Sequence, residues 1–277
     1  MSNWIKLFIA VVIGVLILII GLNRTDHSTT ICISGSTTIS PFMRKMVSAY
    51  REKKDIEITV SSPGSIAGIK ALISGACDLA MSSTEIPPEL RKAAEDKGIL
   101  LKAYLLGYDI IVPVVHPDNP VEDISLKQLK AVFSGKIQRW KTLGGGAGEI
   151  AVVNRSENSG TCCAFYKRVD CTECEKTLKL SSNSAVLGYV ATHRPAIGYI
   201  SRSYLNPEVK ALAVDGVNVT HNGPSAKNYP IKRPLYLYAD QNRLDHALKA
   251  FIIYILVSEQ GRSIFRNQGF LPGDSGR

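Results

Sequence analysis

The sequence predicts an α/β fold, and three observations carry that expectation. Short apolar strands alternate with amphipathic helices along the 277 residues. The strands run into loops rich in Ser, Thr and Gly, which lead into the next helix. The chain is also long enough for two modest domains with cores of their own.

Taken in order, Ile31-Cys32-Ile33 reads as a strand and Ser34 to Thr38 as its loop. Ser40-Pro41 then starts a helix with Phe42, Met46, Ala49 and Tyr50 at helical spacing. Ile56 to Val60 alternates like a second strand and leads into Ser61-Ser62-Pro63-Gly64-Ser65. The following helix presents Ile66, Ile69, Leu72 and Ile73 and stops at Gly75. A third strand, Asp78 to Met81, ends in Ser82-Ser83-Thr84. Tyr104 to Asp109 feeds the apolar run Ile110 to Val115, where the chain is expected to cross to a second domain. Ser125 to Phe133 reads as a helix, and Gly144-Gly145-Gly146 as a flexible turn. Ile150 to Val153 is a strand that enters the loop Asn154 to Ser159, and a helix follows through Ala164, Phe165 and Tyr166. Pro230 to Tyr238 is the expected return strand. Leu244 to Phe265 is a closing helical region that should bury Phe251, Tyr254 and Ile255.

The loops suggest what the fold is for. A helix N-terminus offers unpaired N–H groups and a partial positive charge, which favour an anion. At Ser159-Gly160-Thr161 two hydroxyls are added, Gly160 permits close approach, and Arg155 can present a planar fork to two oxygens. Glu157 is close enough in sequence to hold that guanidinium. Ser-Gly-Thr is equally ordinary helix-capping chemistry. The hydroxyl-rich ends of the first three strands add weight, because ligands of open α/β sheets sit beyond the carboxyl ends of strands.

These segments resemble the phosphate-binding proteins that serve phosphate-specific ABC transporters, the PstS type. The resemblance runs from about Thr30 to Pro272. Gly35-Ser36-Thr37-Thr38 with Pro41, and Pro63 to Lys70, are similar to the family's first two ligand loops. Asn119-Pro120 through Leu129, Val132 to Ile137 with Trp140, Ala196 to Ile200, Tyr229 to Leu235 and Gly269 to Pro272 match further family segments. The resemblance implies a two-lobed periplasmic-binding-protein clamp, type II-like, that closes on its anion. It implies inorganic phosphate as ligand and the permease subunits of an ABC transporter as partners. Contacts are expected from Thr37, Thr38, Ser65, Arg155, Ser159, Gly160 and Thr161, with Ser83 lining the same lobe as the first three. Lobe 1 would comprise residues 29–106 and 230–277, and lobe 2 residues 107–229. Many members carry an aspartate where this chain has Ser83, so discrimination against sulfate is expected to be weaker here. Glu85 is the nearest acidic residue; its structural alternative is to pair with an arginine or to cap the helix near Pro87-Pro88.

Residues 1–28 form a separate unit, with an uncharged stretch from Leu7 to Leu22 between Lys6 and Arg24. No small-x-small pattern follows Ile20, which favours an uncleaved membrane anchor over a cleaved signal. Thr25 to Thr29 would be a tether, and the rest would lie outside the cytoplasm. The formal charge of +9 can steer anions or simply keep the chain soluble. No basic helix or stacking platform points to nucleic acid. Six cysteines suit an extracytoplasmic site. Cys162, Cys163, Cys171 and Cys174 could form disulfides, a tetrathiolate site or buried thiols; Cys32 and Cys77 could pair or fill core space. A monomer without cofactor or metal is expected.

An enzyme finds less support. The phosphate-binding Gly-Lys loop, the nucleophile elbow and the His-Glu-x-x-His pattern do not occur, and the five histidines are isolated. The remaining alternatives are an anchored oxyanion sensor, or a binder of sulfate, arsenate or molybdate without transport coupling.

Overall fold

The computed structural model describes residues 30–172, 177–219 and 228–273. The expected anchor and tether, Cys174 and His221 lie outside the described residues. In chain order the main elements are β1 (Thr30–Gly35), α1 (Ser40–Arg51), β2 (Glu57–Ser61), α2 (Ser65–Ser74), β3 (Leu79–Ser82) and α3 (Pro88–Glu95). Then come β4 (Leu101–Val115), β5 (Asp123–Ile124), α4 (Leu126–Phe133), β6 (Ala151–Arg155), α5 (Gly160–Val169) and β7 (Leu178–Leu180). The chain continues through α6 (Asn183–Thr192), β8 (Ala196–Ser201), β9 (Lys210–Ala211) and β10 (Ala213–Val214). It ends with β11 (Lys232–Asp240), α7 (His246–Val257), α8 (Glu259–Asn267) and β12 (Leu271–Pro272).

One continuous sheet runs β2-β1-β3-β11-β4-β8-β6-β7, with β9 and β12 attached to β4. The strand β4 joins its two halves. Leu101 to Ile110 pair antiparallel with β11, and Ile111 to Val115 pair antiparallel with β8. In the first half β1 lies parallel between β2 and β3; in the second, β6 lies parallel between β7 and β8. Both halves therefore have parallel strands whose carboxyl ends carry loops into helices.

The sheet is buried on both faces, and strand alternation decides which side chain enters which layer. On β11, Leu235, Leu237 and Ala239 join Ile31, Ile33, Phe42 and Phe251 under α1, α7 and α8. Tyr238 faces the opposite layer with Ile69, Leu72 and Cys77, under α2 and α3. The second half has its own core around Ile111, Val112, Phe133, Phe165, Val186 and Tyr199, from β4, α4, α5, α6 and β8. These cores are the interiors of two lobes, and the expected α/β architecture is present.

Three local expectations change. Tyr254 is only half-buried, whereas Phe251 and Ile255 are buried, because Tyr254 sits at the rim beside Tyr50. The closing helical region breaks into α7 and α8 at Ser258, which caps the second helix by accepting from the Gly261 N–H. Cys32 and Cys77 remain thiols: Cys77 is a buried member of the α2–α3 layer and Cys32 packs against it. Burial, reinforced by Cys32, pushes the Cys77 thiol up to about 12. Cys163 and Cys171 are also thiols, and no group of three or more His, Cys, Asp or Glu among the described residues could hold a metal ion. No helix among the described residues is long and apolar enough to cross a membrane.

Candidate functional site

The cleft between the lobes is built from the carboxyl ends of the parallel strands. From the first lobe come Ser36, Thr37 and Thr38 after β1, Ser65 at the start of α2, and Ser83 after β3. From the second come Arg155 at the end of β6, Ser159 to Thr161 at the start of α5, and Asn183 at the start of α6. Ser159 caps α5 by accepting from the Cys162 N–H at 3.3 Å, which leaves earlier N–H groups of the first turn to the cleft.

Arg155 crosses this cleft. It is 1% exposed, and its Nη2 donates to Thr37 Oγ1 of the other lobe at 3.2 Å and to the Ser181 carbonyl at 2.9 Å. Nη1 donates to Asn183 Oδ1 at 3.2 Å, and Nε to the Leu180 carbonyl at 3.3 Å. Burial lowers its pKa to about 10, which leaves the guanidinium charged near neutrality. The expected support from Glu157 is absent. That side chain is exposed, and neutral oxygens hold the guanidinium instead. Neutral supports orient the cation without cancelling it, so its charge remains available to an anion.

Thr38 lies at the centre. Its Oγ1 is 3.4 Å from Thr161 Oγ1 across the cleft. It accepts from Asn183 Nδ2 at 3.0 Å and from Arg233 Nη2 at 3.0 Å. Beneath it, Arg233 and Asp109 face each other in register on β11 and β4 and form a fully buried ion pair, with Nη2 to Oδ2 at 2.6 Å. Ser201 Oγ donates to the other carboxylate oxygen at 2.8 Å. Paired and hydrogen-bonded, these buried charges are tolerable; either one alone would not be.

On the first lobe's wall, Ser83 Oγ accepts from Ser36 Oγ at 3.1 Å and lies 3.2 Å from Ser65 Oγ. Gly160 faces this cluster. A Cβ there would fall 2.3 Å from Ser65 Oγ and 2.8 Å from Ser83 Oγ, so the helix end approaches only because it has no side chain. Gly64, at φ +115°, makes a second close approach: a Cβ would sit 2.4 Å from the Asn158 carbonyl oxygen of the other lobe. At the rim, Lys167 Nζ on α5 meets Glu85 Oε2 at 2.9 Å. Glu85 thus pairs with a lysine of the opposite lobe. It caps nothing: the residue before α3 is Pro87, and no side chain caps that helix.

The structure brings Thr37, Thr38, Ser65, Ser83, Arg155, Ser159, Gly160 and Thr161 around one cleft. Sequence reasoning did not reach Asn183, Asp109 and Arg233. The last two had a signal: each is a lone charge inside an otherwise apolar strand. Asn183 had none, because β7 before it is only three residues long.

Chemically, this arrangement offers donors from both lobes to a small anion. Among the described contacts no histidine or carboxylate reaches the hydroxyls of Ser65, Ser83, Ser159 or Thr161, so no general base serves them.

A profile described as the PBP superfamily domain matches residues 23–259. The chain is 32% identical over 252 residues to the phosphate-binding protein PstS of Bacillus subtilis, covering 88% of this chain and 81% of that one. It is 27% identical to PstS of Borreliella burgdorferi over 89% of this chain and 91% of the relative. Among solved structures it superposes with a TM-score of 0.82 on a phosphate ABC transporter substrate-binding protein from Clostridium perfringens, solved with bound phosphate. That match has 33% identity and covers 89% of this chain and all of the other. An ABC-type phosphate transport receptor from Vibrio cholerae gives a TM-score of 0.72 at 28% identity, covering 88% of this chain and all of the receptor.

Proposed function

Because the chain belongs to the PstS-type phosphate-binding proteins of the PBP superfamily, we propose that it binds inorganic phosphate outside the cytoplasm and delivers it to an ABC importer. The observation that carries this reading is Arg155. A buried guanidinium that spans the cleft, held only by neutral oxygens, faces a helix N-terminus and hydroxyls of both lobes. Such a set matches a tetrahedral dianion, which needs many donors when water is removed.

In this reading Thr37, Thr38, Ser65 and Ser83 hold the anion from lobe 1, and Arg155, Ser159, Gly160 and Thr161 from lobe 2. Lobe 1 comprises residues 29–106 and 230–277, lobe 2 residues 107–229. The protein acts as a monomeric, non-catalytic carrier, tethered to the membrane by its N-terminal segment. Its closed form is the one that permease subunits recognise. An anion stabilises closure only through contacts missing from the open form, and the Arg155–Thr37 and Thr38–Thr161 approaches are of that kind.

Isothermal titration with phosphate, sulfate, arsenate and molybdate tests the ligand. Saturable phosphate binding is expected, without turnover of phosphoesters; its absence overturns the reading. Co-purification with permease subunits separates a transport component from an anchored oxyanion sensor.

A further inference from the structure

The hydroxyls of the cleft are not equivalent, because the groups behind them have already used their lone pairs. Asn183 Oδ1 accepts from Arg155 Nη1 and from the Ser201 N–H at 3.1 Å, which fixes the amide with its Nδ2 toward Thr38. Thr38 Oγ1 then accepts from both Asn183 Nδ2 and Arg233 Nη2. With two bonds accepted, a hydroxyl can only donate. Thr37 Oγ1 accepts from Arg155 and has its proton free for a ligand.

Ser65 and Ser83 differ. Their 3.2 Å contact can run in either direction. If Ser83 donates to Ser65, Ser83 has accepted only the Ser36 hydroxyl and keeps a lone pair for a proton arriving from outside. The charge balance points the same way. Three buried guanidiniums, Arg155, Arg202 and Arg233, share one buried carboxylate near the cleft, Asp109. The buried Nη1 atoms of Arg202 and Arg233 have no hydrogen-bond partner.

We propose that Arg233 and Asn183 are positioning residues that set specificity by committing Thr38 as a donor. The ligand must then bring bare oxygens to Thr38 and Arg155, and any proton it carries is accepted at the Ser65–Ser83 pair. The site therefore takes doubly charged tetrahedral oxyanions: hydrogen phosphate with its one proton toward Ser83, and sulfate with none. Dihydrogen phosphate, with a second proton and half the charge, is rejected. This inference rests on the phosphate-binding reading above.

The charged and titratable groups around Thr38 are Arg155, Arg202, Arg233 and Asp109, together with the phenols of Tyr199 and Tyr204 and the Cys162 thiol. Sulfate keeps its charge from pH 5.5 to 8 and so reports any titration of the protein itself. The test is titration calorimetry of the full chain in detergent micelles with phosphate and with sulfate at both pH values. Sulfate is expected to bind at both, unchanged within about twofold. Phosphate affinity should fall by about tenfold per pH unit below its second ionisation, as its dianion disappears. Equal phosphate affinity at both pH values, or no detectable sulfate binding beside normal phosphate binding, overturns the inference and leaves the functional reading intact. No binding of either anion overturns both.

Two variants separate positioning from structure. Ser83→Ala should weaken phosphate about tenfold and sulfate less than twofold; equal losses would overturn the proton assignment. Asp109→Asn combined with Arg233→Gln removes both charges together and releases one lone pair of Thr38. Its phosphate affinity should change less than threefold over the pH interval, and an undiminished pH dependence would overturn the role of Arg233. Should that double variant fail to fold, the Ser83→Ala split and the wild-type pH profile still decide.

Discussion

The two walls of the cleft solve one problem with opposite means. The first lobe presents uncharged hydroxyls from short, regular strand-to-helix loops, each supported by another hydroxyl or a backbone N–H. The second presents a buried cation and a helix end, both raised in energy by loss of water. Arg155 shows the cost, since burial alone lowers its pKa to about 10. Hydroxyls shape the cavity cheaply, while the buried charge makes it attractive only when an anion enters. Binding strength should therefore reside mainly in the second lobe and selectivity in the first.

Removing the cation is the strongest attempt to break that contrast. Arg155→Ala is expected to cost about 3–5 kcal/mol of phosphate binding, the usual loss when one partner of a desolvated charged contact is deleted. The fold should survive, because the supports of Arg155 are neutral and can be rehydrated. Calorimetry with circular dichroism checks both halves; near-native affinity would place the binding strength elsewhere.

Gly160→Val attacks the helix end without removing a donor. Its Cβ alone would lie 2.3 Å from Ser65 Oγ, so the lobes could no longer close as they do here. We expect loss of closure on adding phosphate, read by small-angle scattering, with a thermal midpoint within a few degrees of wild type. Normal closure would mean that the helix end does not face the anion.

Thr37→Val sharpens the other side. It deletes one hydroxyl that accepts from Arg155 and is free to donate, and about 1–2 kcal/mol of binding should be lost. A loss equal to that of Arg155→Ala would erase the distinction between the two walls.

Much of this contrast was legible in the sequence, for a physical reason. Strand-end loops are local objects, and residues such as Thr37, Ser65 and Ser159 announce themselves by sitting between an apolar strand and a helical pattern. Arg155 was legible for the same reason. Its supports were not. Glu157 is adjacent in sequence but exposed, while Asn183 and the Leu180 and Ser181 carbonyls reach Arg155 only because β7 pairs in parallel with β6. The Asp109–Arg233 pair depends on register between strands more than a hundred residues apart, which no local pattern fixes. The cysteines were ambiguous because their alternatives differ in geometry and not in composition.

The smallest effect belongs to the rim, where the walls meet through Glu85 and Lys167. Their side chains are 59% and 71% exposed, so solvent screens the pair and its worth is about 0–1 kcal/mol. The hydrogen bond from Lys167, and then its charge, hold the Glu85 carboxyl below its ordinary pKa. A folded-state pKa that is depressed contributes stability above the unfolded value, and the contribution is lost as pH falls through the folded one. Glu85→Gln should therefore lower the thermal midpoint of the ligand-free protein slightly at pH 7. The difference from wild type should vanish in acid, below the lowered Glu85 value, and also in about 1 M salt, where screening acts over about 3 Å. A difference that survives both conditions would show that Glu85 supports the rim by packing, and that the contact between the lobes is not electrostatic.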